Sequence, residues 1–200
     1  MKPTITIFAG VVAAILGYSM WPVEQKTSVI DHVKSAEGAP LAIVILPKNF
    51  EHPFLNDSKQ LSEKQRKELK LFIEKHALAF GVSFVDEKEV DAINVLQASI
   101  VGMHRSIAQL NPQPKFIIVD GNKFKAYKEI SHQTIVKGDA KYLSIAAASV
   151  LAKAYRDEFM EKIHQEYPMY NWKQNKGYPT KQHRNAIRVF GITNYHRKTF

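Results

Sequence analysis

Cysteine is absent from all 200 residues, which excludes disulfides, thiolate nucleophiles and cysteine-based zinc sites and fits a reducing compartment. Histidine is present eight times but without the close pairing of a zinc-binding helix. Acidic residues are the scarcer charge, 19 against 28 lysines and arginines. The deficit is uneven. Residues 1–40 hold three basic side chains (Lys2, Lys26, Lys34) and three acidic ones (Glu24, Asp31, Glu37), so the whole net charge of +9 falls on residues 41–200. A basic globular domain favours polyanions, nucleic acid above all. Long uncharged runs are also scarce: one stands out, Thr4 to Trp21, near the minimum length for a membrane span. It reads as a membrane anchor or targeting segment, or else as a buried strand or helix, and Glu24 to Pro40 reads as a polar linker.

What is there in quantity is a globular composition, 45% apolar and 24% charged, enough for one medium domain with a sizeable core. Leu41 to Leu46 (L-A-I-V-I-L) predicts a buried strand stopped by Pro47. Ser62 with Gln65 forms a capping-box pattern. Leu69, Phe72, Ile73, Ala77 and Phe80 continue at helical spacing to Gly81. Val82 to Val85 predicts a short strand, and Asp86 with Glu89 predicts the cap of a helix whose core face is Ile93, Leu96, Ile100, Met103, Ile107 and Leu110. Phe116 to Val119 predicts a further strand, a last short helix spans Gln182 to Phe190, and the tail from His196 is basic and mobile unless it docks.

The chain is organised around Ile135 to Asp157. There a short run ends in Lys137-Gly138-Asp139 and a helix rich in small residues opens near Ser144 and continues to about Glu166. Acids at strand ends sit where α/β folds place their chemistry. Asp139 is one, and Asp120, in Val119-Asp120-Gly121-Asn122, is a second, although each also suits an ordinary turn. Ser149, Lys153 and Arg156 stand at i, i+4 and i+7 on one helix face. Such a face suits phosphates, or simply solvent. Tyr170, Trp172, Lys173, Lys176 and Tyr178 mix rings and cations, as stacking on nucleic acid requires and as a plain core edge also would.

Five segments in this order resemble bacterial ribonuclease HII: N-D-S-K-Q-L-S (Asn56–Ser62), V-D-G-N (Val119–Asn122), K-G-D through S-I-A-A-A-S-V-L-A-K and R-D (Lys137–Asp157), N-K-G-Y-P-T (Asn175–Thr180) and the terminal H-R-K-T-F. The resemblance runs from about Leu41 to Phe200 and divides the chain into a domain over 41–200 and an atypical segment over 1–40. It implies a ribonuclease H-like α/β fold, a mixed five-stranded sheet flanked by helices with a helical C-terminal extension. It implies a Mg²⁺- or Mn²⁺-dependent endonuclease acting on RNA/DNA hybrids and on ribonucleotide-containing duplex DNA, in DNA repair. Such an enzyme is expected to be cytoplasmic and monomeric, or membrane-tethered if residues 4–21 insert. By the resemblance, Asp120 and Asp139 match two of the family's four catalytic, metal-binding carboxylates. Tyr178 matches the tyrosine that stacks under the sugar at the DNA–RNA junction, and Lys59, Ser149, Lys153 and Arg156 lie in segments near the substrate backbone.

The chain departs from the family at its start. The D-E-A-G-R-G motif, which would supply the other two carboxylates and help read the ribose 2′-hydroxyl, is missing. Counting back without gaps, the two acids fall at Ser28 and Val29; a gapped count brings Glu37-Gly38 near the motif, with Ala36 in place of the aspartate. Residues 1–40 are expected to replace the family's start by fusion, rearrangement or a misassigned start. The alternative to an active enzyme is a catalytically impaired nucleic-acid-binding relative; a membrane-tethered basic domain of unrelated role is the third reading.

Overall fold

The computed structural model describes residues 13–15, 27–29, 39–55 and 61–198. Six strands form one mixed sheet: β1 (Ala13–Ile15), β2 (Thr27–Val29), β3 (Ala39–Ile45), β4 (Ala79–Val85), β5 (Phe116–Asp120) and β6 (Ser131–Ile135). β3 pairs antiparallel with β4, from Ala39↔Val85 to Ile45↔Ala79, and antiparallel with β2. β2 runs parallel to β5 in the register Ser28↔Ile118 and Val29↔Val119, and β5 runs parallel to β6 up to Asp120↔Ile135. The order β4-β3-β2-β5-β6 is the mixed five-stranded sheet expected from the sequence. β1, drawn from the uncharged stretch, adds an antiparallel pairing along β5. Residues 1–12 and 16–26 lie outside the described residues, so most of the proposed membrane segment does too. Among the described residues, no helix is long and apolar enough to cross a membrane. The linker reading over Glu24–Pro40 is corrected: Thr27–Val29 and the start of β3 are strand.

Helices cover both faces. Among the described residues, five α-helices follow in order: α1 (Glu63–His76), α2 (Glu87–Ala108), α3 (Leu143–Glu166), α4 (Trp172–Asn175) and α5 (Lys181–Phe190). Leu41 to Leu46 are all buried, because the strand they extend has a layer on each side and alternation is then unnecessary. α2 lies so close to β3 that a Cβ on Gly102 would strike the Leu41 side chain. The gap is sealed by polar links, Ser106 Oγ to the Leu41 carbonyl at 2.8 Å and Ser83 Oγ to the Gly102 carbonyl at 2.7 Å. α3 packs against β3 and β2, and α1 packs against α3. Its alanines at 146–148 and 152 are buried and allow that close approach.

Several local expectations change. The capping box at Ser62 and Gln65 is present, but α1 stops at His76 and Phe80-Gly81 belong to β4, since pairing with β3 outweighs the helical spacing that ran on to Gly81. Asp86 caps α2 by accepting the Glu89 N–H at 2.8 Å. Asn94 breaks that helix with a φ of 64°, and this rotates Ile93 out of the core to 37% exposure. The C-terminal tail docks: His196 is buried, and the Lys198 N–H donates to Asp91 Oδ2 at 2.8 Å.

A second, smaller apolar cluster gathers Met160, Ile163, Tyr170, Trp172 and Ala186. It joins the end of α3 to α4, α5 and the tail, and is the helical extension at the C-terminus. Tyr170 and Trp172 stack with centroids 4.9 Å apart, and the Tyr170 hydroxyl donates to the Gly191 carbonyl at 2.9 Å.

Candidate active site

β5 is a central strand, with Ile117, Ile118 and Val119 buried, and it delivers Asp120 half-exposed at its carboxyl end. β6 is the sheet edge, exposed from Ser131 to Thr134. It is followed by Lys137 in a left-handed conformation (φ 57°) and by a single 3-10 turn, Gly138–Ala140, that carries Asp139. The Gly138 N–H donates to Asp120 Oδ1 at 2.6 Å. This bond draws the turn bearing Asp139 against the neighbouring strand end, so the two acids, 19 positions apart in the chain, stand at one end of two parallel strands. A Cβ at 138 would meet the end of the Ile145 side chain of α3, which must shift to admit one. The amides of Lys141 and Tyr142 both return to the Gly138 carbonyl at 2.9 Å, which seats the start of α3 directly behind Asp139. A helix N-terminus carries partial positive charge and favours a bound phosphate.

The adjoining strand explains what the sequence lacks. β2 places Ser28 and Val29 in register with Ile118 and Val119, beside the strand that ends in Asp120. These are the two positions at which ungapped counting puts the missing acids, and neither is a carboxylate. Among the described residues no group of three or more His, Cys, Asp or Glu side chains converges. The donor set suits an ion that keeps much of its water: Mg²⁺ and its like are held by one or two carboxylates together with substrate phosphate. Asp120 and Asp139 could hold such an ion, and the described residues build no closed protein cage around it. Around them Lys123, Lys137 and Lys141 are exposed.

The other expected residues divide. Tyr178 is 47% exposed, as a stacking ring must be. Lys59 lies outside the described residues. The basic stripe on α3 is corrected: Ser149 is 0% and Arg156 1% exposed, and only Lys153 is half-buried. α3 is packed on nearly all sides in its first four turns, so a helical repeat of polar residues there does not define a wet face. Arg156 Nη2 donates to the Lys176 carbonyl at 3.0 Å and acts within the protein.

Sequence reasoning passed over a buried histidine pair. His183 and His196 face each other with Nε2 atoms 3.1 Å apart. The Thr193 N–H donates to His196 Nδ1 at 3.0 Å, which leaves the His196 proton on Nε2, directed at His183. Burial lowers the His183 pKa; burial first, and then the charge of His183, push that of His196 down to about 4. Thirteen residues of separation across a helix and a turn gave no periodic signal to find them.

A mixed sheet flanked by helices, with acids at its parallel strand ends beside exposed lysines, has the architecture of the ribonuclease H-like class, a divalent-metal-dependent family of nucleases. The family profile for ribonuclease HII matches residues 42–200, and the chain belongs to that family, whose members are hydrolytic endonucleases of the ribonuclease H type. It is 60% identical over 159 residues to the ribonuclease HII of Christiangramia forsetii, covering 80% of each chain. It is 58% identical to that of Bacteroides fragilis, over 80% of this chain and 79% of the relative. Among solved structures, the ribonuclease H2 from Pyrococcus horikoshii superposes with a TM-score of 0.71 at 22% identity, over 87% of this chain and 92% of the other. The ribonuclease HII of the PCNA complex from Archaeoglobus fulgidus gives 0.69 at 21% identity, over 86% and 91%. A ribonuclease HIII described in complex with Mn²⁺ gives 0.54 at 14% identity, over 80% and 68%. At such identities these three speak for the fold. The matches do not favour the impaired-relative alternative.

Proposed function

We propose that Asp120 and Asp139 together hold a hydrated Mg²⁺ or Mn²⁺ ion against the scissile phosphate of RNA/DNA hybrids and of ribonucleotide-containing duplex DNA, in DNA repair in the cytoplasm. The observation that supports this reading is the 2.6 Å bond from the Gly138 N–H to Asp120 Oδ1, which fixes one carboxylate and ties the turn that carries Asp139 to the same strand end. When bound there, such an ion would supply Lewis-acid chemistry, lowering the pKa of its water and offsetting charge at the phosphate, with Asp120 and Asp139 as the residues that would hold it. The chain's own residues do the rest. The Gly138 N–H orients the Asp120 carboxylate, and the start of α3 favours negative charge at the same point. Lys123, Lys137 and Lys141 attract the polyanionic backbone. The exposed ring of Tyr178 offers a face on which a nucleotide stacks, a contact of about 1–3 kcal/mol.

The test is a duplex carrying one ribonucleotide, alongside a plain hybrid, incubated with Mg²⁺, Mn²⁺ or chelator. Incision with either ion, none with chelator, and none by Asp120→Asn is the expected result. Incision that survives chelation or the substitution overturns the assignment of Asp120, and intact strands in every condition overturn the substrate assignment.

A further inference from the structure

The turn that presents Tyr178 is held from beneath by groups that belong to no apolar core. Lys176 (φ 48°) and Gly177 (φ 81°) are both left-handed, a conformation costly for lysine that persists only if its surroundings enforce it. They do so at each residue of the turn. Asn175 is buried; its Nδ2 donates to the Tyr170 carbonyl at 2.6 Å and its Oδ1 accepts the Gly177 N–H at 2.9 Å. The Tyr178 N–H donates to the Asn175 carbonyl at 2.8 Å. Arg156 of α3 binds the Lys176 carbonyl, and Asp157, the next residue of α3, takes the Lys176 ammonium at 3.5 Å.

Asp157 is 8% exposed and has a second cation. Arg66 Nη2 reaches its Oδ2 at 3.0 Å, and Arg66 Nη1 donates to the Leu61 carbonyl at 2.5 Å. One carboxylate on α3 therefore ties two segments that are far apart in sequence: the start of α1 with the residue before it, and the turn that carries Tyr178. A buried acid between two cations is poorly replaced by water, and removing it takes the paired charge from Arg66 and Lys176 alike.

We infer that Asp157 is a positioning residue for substrate recognition: through Lys176 it fixes the left-handed turn that aims Tyr178, and through Arg66 it sets that turn against the start of α1. The inference rests on Tyr178 being a substrate contact. It assigns Asp157 no part at the reacting phosphate. It predicts that loss of the carboxylate weakens substrate engagement and leaves the chemical step alone, and that the loss operates through the tyrosine.

The experiment is steady-state cleavage of a duplex with one ribonucleotide by the full chain and by Asp157→Asn, Lys176→Met, Tyr178→Ala and the Asp157→Asn/Tyr178→Ala double variant, with thermal melting alongside. Asp157→Asn is expected to raise KM by about tenfold, the scale of losing one buried ion-pair partner, with kcat within about twofold of wild type. Lys176→Met shifts KM in the same direction, and the double variant is no worse than Tyr178→Ala alone. Should Asp157→Asn fail to fold, Lys176→Met decides: an unchanged KM overturns the inference. A lowered kcat with unchanged KM overturns it as well, and so do effects that multiply in the double variant. A Tyr178→Ala enzyme with wild-type kinetics overturns the substrate-contact reading and this inference together. A tyrosine variant that is impaired beside a silent Asp157→Asn overturns the inference alone.

Discussion

The end of the sheet and the C-terminal extension are furnished in opposite ways. At the sheet end, one backbone hydrogen bond ties the turn that carries Asp139 to Asp120, and the strand beside them contributes Ser28 and Val29. In the extension, a single exposed tyrosine rests on a ring stack, a buried histidine pair, an asparagine bridging two backbone groups and a carboxylate between two cations. On the proposed reading, few polar groups among the described residues serve the chemistry, while many brace recognition. The difference follows from what each has to do. A hydrated divalent cation needs little more than charge at one point, whereas a stacking ring is useful only if it is aimed, and aiming a loop requires bonds on every side of it.

The two regions should therefore fail differently. The largest expected effect lies at the sheet end: Asp120→Asn should lower kcat by a factor on the order of 1,000 or more. Its melting temperature should change little, because an amide oxygen still accepts the Gly138 N–H. A gel assay paired with thermal melting checks both parts. Gly138→Ala tests the same junction through packing. The added methyl meets Ile145, and the fold should lose about 1–3 kcal/mol, seen as an earlier urea midpoint.

The extension should be the part that acid loosens. His196 has its pKa pushed from the ordinary 6.5 down to about 4 by burial, and that of His183 is lowered by burial too. Between pH 6.5 and 4 the unfolded chain therefore binds protons that the folded chain refuses. The stability these rings contribute is complete above pH 6.5 and is lost as pH falls through 4, roughly 3 kcal/mol for His196. Urea unfolding followed by tryptophan fluorescence, which reports Trp172 within the cluster, should show the midpoint falling over that window; a flat profile would contradict it. Tyr178→Ala should cost about 1–2 kcal/mol of substrate affinity, measured by fluorescence anisotropy on a ribonucleotide junction. The smallest effect belongs to neither region. Arg105 bonds Glu89 on the surface, and Arg105→Gln should shift stability by less than about 1 kcal/mol.

The sequence carried the frame of this molecule well, for identifiable reasons. The run Leu41–Leu46, short, apolar and stopped by Pro47, read as a buried strand, and the caps at Ser62 and Asp86 announced α1 and α2. The acids at 120 and 139 were visible because each ends a short apolar or β-branched run. Other features were hidden by pairing between distant segments. Phe80 and Gly81 kept a helical rhythm but follow the hydrogen bonds of β3, and Asn94 breaks α2 at a point where the apolar repeat continues. Arg156 seemed to extend a basic stripe, yet α3 is buried along that side, so the guanidinium turns inward to Lys176. The partnership of Arg66 with Asp157 spans 91 positions, and no local pattern encodes it. The histidine pair is silent in sequence for the same reason.

The central claim is that Asp120 and Asp139 act as one cation site at adjoining strand ends. Mn²⁺ titration of the full-length protein followed by electron paramagnetic resonance tests it without relying on turnover. The account predicts a bound fraction in the wild-type chain that falls sharply in Asp120→Asn and equally in Asp139→Asn. Wild-type binding in either variant would contradict it.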